Sequence, residues 1–117
     1  SLPDLFHSLR LEPRERAAAD YLRGMGASGL GVEAAARTAA VLSTGAEGAI
    51  PLKEGYAAAM AAQNTSYACV EKNIRSMVGK LQAGACGEYQ ALMGGLPAER
   101  PSNELFLRRL ARRILEW

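Results

Sequence analysis

Glycine and proline cut this chain into short segments, and the segments between the cuts repeat their apolar residues at helical spacing. Pro13 suits a first helical position, and "PRERAAADYLRG" runs from it to a stop at Gly24 or Gly26. A second helix is predicted through "VEAAARTAAVLST", ending at Gly45. Pro51 starts a third, "PLKEGYAAAMAA", and Asn64 with Thr65 breaks the chain before a fourth that runs to about Gly84. A short fifth, "GEYQALM", ends at the pair Gly94 and Gly95. Ser102 or Asn103 can cap a sixth, "ELFLRRLARRILEW". Alanine is abundant, β-branched runs are almost absent, and no segment alternates as a strand would. The expectation is an all-α fold, a compact bundle of about six helices. Residues 11–117 should form one domain behind a tail or linker remnant at 1–10.

Composition narrows the setting. The chain has 117 residues, 49% hydrophobic and 22% charged. No apolar run approaches the roughly 20 residues of a membrane span, and no signal-peptide core is present. Cys69 and Cys86 are too few for a disulfide scaffold, so a reduced, cytoplasmic setting is expected, with no membrane partner. The chain opens on Ser1 rather than Met, which suggests a fragment of a longer protein. The net charge is only +2, but residues 100–113 hold Arg100, Arg108, Arg109, Arg112 and Arg113 against Glu104 alone. Such a cluster can neutralise phosphates, although a solvated helix face is the default explanation.

The third and fourth helices carry the most specific pattern. Leu52, Tyr56, Ala59 and Met60 share one stripe; Val70, Ile74, Met77, Val78 and Leu81 share another. At about 100° per residue, Lys72 points almost directly away from the second stripe, with Arg75 and Ser76 beside it and Glu71 at the border. Between the helices lies "QNTS". Asn64 can there adopt a left-handed conformation, and Thr65 or Ser66 can cap the next helix. Two helices, a tight polar turn and a polar outer face describe a helix-turn-helix.

From about Arg16 onward the chain resembles the DNA-binding effector domain of the sporulation stage-zero master response regulator family. "YLRGMGASGLGVEAAARTAAVL" is similar to that domain's first helix, glycine-marked turn and second helix. Lys53 and Tyr56 fit the first helix of its helix-turn-helix. "NTSYACVEKNIR" resembles its turn and recognition helix, and "RPSNELFLRRLARRI" the start of its last helix. The most specific parts are residues 70–75 and 101–106.

The resemblance implies a sequence-specific transcriptional regulator whose fourth helix, about 66–83, enters the major groove of double-stranded DNA. It further implies a second copy in tandem on the DNA, and RNA polymerase as a partner. Carried over by position, Glu71, Lys72 and Arg75 are the base-contact candidates. Lys or Arg can donate to guanine O6 and N7, and Glu can accept from cytosine N4. Asn64, Thr65 and Ser66 are phosphate candidates at a helix amino end, joined by Ser76, Arg108 and Arg112. The chain departs from the family in several places. Cys69 replaces a basic residue, and Ala68 a serine that would form a capping box with Glu71. Lys72 replaces Arg, Gly79 weakens the helix, and the loop before Pro101 is shorter. No phosphoacceptor receiver domain lies within these residues.

Other chemistries find little support. "GMGASG" fits the dinucleotide glycine pattern, but a helix rather than a strand precedes it. The single histidine, His7, sits near the amino end, leaving a Ser or Cys nucleophile without an evident base. One His and two distant Cys make no recognised zinc spacing. Cys69 near a helix start could be a reactive thiol, against the plainer reading of an inert one. No enzyme activity and no cofactor are expected. The alternative function is a helical protein–protein interaction module that kept the fold and lost DNA binding. Val70, Ile74, Met77, Leu81, Tyr56 and Phe106 should be buried. In the last helix Phe106, Leu107, Leu110, Ile114 and Trp117 should pack inward or on a partner, with Arg108 and Arg112 facing out.

Overall fold

An alanine-rich helix that is apolar nearly all round must be enclosed by other helices, and residues 30–42 are. The computed structural model describes the backbone of residues 2–117 and the side chains of 11–117, so His7 lies outside the described side chains. It contains α1 (Leu2–Gly24), α2 (Leu30–Leu42), α3 (Leu52–Gln63), α4 (Tyr67–Gly84), α5 (Gly87–Met93) and α6 (Asn103–Leu115). No strand is found among the described residues. Helix α2 packs against α1, α3, α4 and α6. Ala34, Ala35, Ala36, Ala39 and Val32 are fully buried, so the small side chains of α2 let its neighbours close in from several sides.

Two glycines set the closest approaches. A Cβ on Gly31 would lie 2.5 Å from the Asn73 carbonyl oxygen of α4. A Cβ on Gly55 of α3 would lie 2.7 Å from the Thr38 methyl of α2. Thr38 is fully buried and its hydroxyl donates to the Gly55 carbonyl at 3.3 Å, which satisfies the polar atom inside the core. The core also contains Tyr56, Val70, Ile74, Met77, Val78, Leu81, Tyr89, Phe106, Leu107, Leu110 and Ile114. The six side chains expected to be buried are therefore all in it.

Element boundaries differ from the sequence reading in three places. Helix α1 begins at Leu2, so the stretch expected to be a tail continues into it and Pro13 is internal, where it lacks an amide to donate. Helix α2 stops at Leu42, earlier than expected. There the Ser43 hydroxyl turns back to the Ala40 carbonyl at 2.6 Å and the Thr44 hydroxyl to Val41 at 2.7 Å, local bonds that compete with helix continuation. Helix α6 ends before Trp117, whose ring stands edge-on to Tyr21 of α1 with centroids 5.3 Å apart while remaining half exposed.

These contacts separate two helical glycines. Gly31→Ala should destabilise by roughly 1–3 kcal/mol, because the added methyl has a backbone carbonyl to displace. Gly79→Ala meets only the Arg100 Cδ at 3.5 Å and should stabilise by up to about 1 kcal/mol. Urea unfolding followed by circular dichroism should move the two midpoints in opposite directions.

Candidate nucleic-acid interface

The turn at residues 64–66 positions α4. Asn64 takes the left-handed conformation, at φ 51° and ψ 54°, and closes α3 through its amide to the Met60 carbonyl. The Thr65 amide also donates to that carbonyl, at 3.1 Å. Ser66 is the cap of α4: its hydroxyl accepts from the Cys69 amide at 3.2 Å. Ala68 thus lies within the first turn, and no cap is lost by its not being serine. The Tyr67 and Ala68 amides precede any intrahelical acceptor and remain available to an anion.

On α4, Val70, Ile74, Met77, Val78 and Leu81 are buried, while Lys72, Arg75, Ser76 and Cys69 are exposed. The outer arc centred on Lys72 is otherwise small, consisting of Ala68, Gly79 and Ala83. No bulky side chain of α4 itself therefore stands in front of the basic side chains, although the Arg100 stem, arriving from the loop before α6, crosses the helix at Gly79. Arg75 pairs with Glu71 at 3.6 Å, both about half exposed, a surface contact worth little and easily given up to another partner.

The amino half of α4 is held from two sides. Tyr67 packs edge-on to Tyr56 of α3 with centroids 5.1 Å apart. Asn103, at the start of α6, donates to the Glu71 carbonyl at 3.0 Å and to the Tyr56 hydroxyl at 3.2 Å. Burial pushes the Tyr56 phenol above its usual range. Ser102 caps α6 by accepting from the Leu105 amide at 3.1 Å, so Asn103 starts from a defined position. A shallow groove results, lined by Tyr67, Glu71, Arg75, Arg100 and Asn103. On the other flank of α4, Ser76 and Lys80 share a polar cleft with Ser28 and the amino end of α2, which has no side-chain cap.

The sequence-derived residues thus fall into two groups. Asn64, Thr65 and Ser66 stand at the amino end of α4, and Glu71, Lys72, Arg75 and Ser76 follow along its outer side. Arg108 and Arg112 lie elsewhere. The Arg108 guanidinium donates to the Ile50 carbonyl at 2.9 Å and pairs with Glu104 at 3.2 Å, so it ties α6 to the loop before α3 instead of simply facing out. Arg112 is exposed nine residues along α6 from Asn103, roughly 14 Å down the helix axis. Two residues beside α4 were absent from the sequence-derived set. Lys80 repeats the Ser76 position one turn on, a spacing that periodicity could have flagged; Arg100 was counted in the basic stretch 100–113, but no local signal places it beside α4.

Cys69 is exposed on the same outer side. Hydrogen bonds from the Ser66 and then the Thr65 side chains hold its thiol below the usual range, and Lys72 acts in the same direction. Cys86 is half buried, its Sγ 4.0 Å from the Met25 carbonyl oxygen. Among the described residues no helix is long and apolar enough to cross a membrane. No family model, curated protein or solved structure matches the chain.

The two thiols should react differently. A depressed pKa leaves more thiolate at neutral pH. Cys69 should therefore alkylate faster than Cys86 with iodoacetamide and reach half its limiting rate below the pH of about 8.5 typical of a free thiol. Mass spectrometry of pulse-labelled protein across a pH series checks both statements.

Proposed function

We propose that this chain is the sequence-specific DNA-binding domain of a transcriptional regulator. In this reading α3, the turn at 64–66 and α4 act as a helix-turn-helix, as in the sporulation response-regulator effector domains that the sequence resembles. The observation that carries the proposal is the outer face of α4: basic and hydroxyl side chains stand on an arc of otherwise small residues, opposite a fully buried stripe. A helix of this kind can enter a major groove without losing core contacts.

The roles follow from chemistry. Lys72 and Arg75 donate to guanine, and the loosely held Glu71 accepts from cytosine N4 once Arg75 turns to a base. The free amides at the start of α4, with Asn64, Thr65 and Ser66, receive a phosphate. Ser76 contacts the backbone on the Lys80 side. Arg112, remote from α4, is assigned to a more distant phosphate or to a second copy in tandem. Arg108 has a structural task first. The domain works in the cytoplasm, recruits or blocks RNA polymerase, and needs neither a cofactor nor catalysis.

A second reading rests on the half-exposed Leu115 and Trp117 near the end of α6, which suit a helical protein–protein interaction module. Salt dependence separates the two readings, because counterion release gives only a DNA binder a steep loss of affinity with salt.

Selection from a random duplex library should enrich a preferred site. Lys72→Ala and Arg75→Ala should keep the fold and each cost about 1–3 kcal/mol in binding that site. Glu71→Ala should relax discrimination at one base pair, since it removes an acceptor and a charge that repels phosphate. Titrations by fluorescence anisotropy test this. No enrichment, or three variants that bind like the parent, would overturn the reading.

A further inference from the structure

We infer that Arg100 is a nucleic-acid phosphate contact, held in place along α4 by a loop that is fastened to that helix at both ends. The inference rests on the DNA-binding reading above and adds to it a residue that lies outside the helix-turn-helix.

The loop at 94–102 leaves α5 and returns to α6 along one flank of α4. Near its start, the Gln82 side chain of α4 donates to the Pro97 carbonyl at 2.6 Å. Gln82 is itself fixed, because its Oε1 accepts from the Tyr89 hydroxyl at 2.6 Å and Tyr89 is fully buried. Just past the loop, Asn103 donates to the Glu71 carbonyl, and Pro101 between them is buried. At about 100° per residue Gln82, Gly79, Arg75 and Glu71 fall within roughly 80° of one another. The loop therefore runs antiparallel to α4 over a single strip of its surface.

Arg100 lies between the two fastenings. Its Cδ is 3.5 Å from the point a Cβ on Gly79 would occupy, so its stem crosses α4 where that helix has no side chain. Its head is exposed and makes no ion pair among the described residues, and it shares the groove with Arg75. Arg75 pairs weakly with Glu71, whereas Arg100 on the same flank has no such pairing among the described residues. A guanidinium that reaches a groove-entering helix from the Glu71 and Arg75 flank, on a loop and not on the helix itself, faces the phosphate backbone rather than base edges. Gly79, a weak helix former, is explained by the same arrangement: a large side chain there would lift the arginine stem.

The test measures binding of the whole chain to a random-sequence 20-base-pair duplex by anisotropy over a series of KCl concentrations. Arg100→Ala should weaken binding at 0.1 M salt by roughly 8-fold, with the log–log salt slope reduced by about 0.9, one phosphate contact's worth. The loss should be the same on any selected site. Arg100→Lys should retain the parental slope, and Gly79→Ala should bind like the parent. Gly79→Leu should reproduce much of the Arg100→Ala loss with its circular dichroism unchanged. If the parent binds with a salt slope and Arg100→Ala has the same affinity and slope, this inference is overturned while the DNA-binding reading survives. A loss restricted to one selected sequence would also overturn it, because it would make Arg100 a base reader. A parent without any salt-dependent binding overturns both.

Discussion

The structure depends on how closely backbones can approach around α2. A helix enclosed on most sides has little room for side chains at its crossings, and the tightest points are made by glycine on one partner or the other. Gly31 lets α2 meet the α4 backbone at Asn73, and Gly55 lets α3 sit on Thr38. Alanines fill the intervening layer, so the packing relies on many small contacts rather than on a few large side chains. The larger buried residues Tyr56, Tyr89 and Phe106 come from α3, α5 and α6, and Tyr89 stacks on Phe106 with ring centroids 6.5 Å apart.

This arrangement decides which side of α4 is available. The Gly31 contact brings α2 against α4 beside Met77, and α3 covers the amino half through the ring contact of Tyr56 with Tyr67. The remaining arc carries Lys72 and is approached at Gly79 by the Arg100 stem. The start of α6 and the loop before it then fasten one flank of α4, through Asn103 and Pro97. A helix held at its amino end and along one flank loses little further conformational freedom on binding, which favours affinity. The same fastening explains the placement of charge. Of the arginines in residues 100–113, Arg100 comes beside α4, Arg108 is used inside the molecule on Ile50, and Arg113 pairs with Glu116 near the far end. Arg109, Arg112 and Arg113 stay together, lining one cleft with Glu116, so the linear cluster is divided between places instead of being gathered beside α4.

Local physics was legible in the residues. The six helices, the left-handed Asn64, a cap at Thr65 or Ser66 and another at Ser102 or Asn103, and the buried stripes of α4 and α6 follow from spacings of three and four and from the conformational preferences of single residues; the structure selects Ser66 and Ser102. The outer position of Lys72 follows from the same periodicity. Each depends on residues within a few positions of one another, so the sequence determined them without knowing how helices pack.

Tertiary structure alone decided the rest. That Arg100 lies over Gly79, that Arg108 turns to Ile50, and that Trp117 leaves its helical stripe to meet Tyr21 are contacts between residues separated by at least 21 positions. The need for Gly31 and Gly55 is of the same kind: a glycine inside a helix reads locally as a weakness, and its purpose exists only once another backbone arrives. Helix periodicity states which face is apolar but carries no angle or offset for docking. Those come from the mutual fit of all six helices, and they determine which charges stand beside α4.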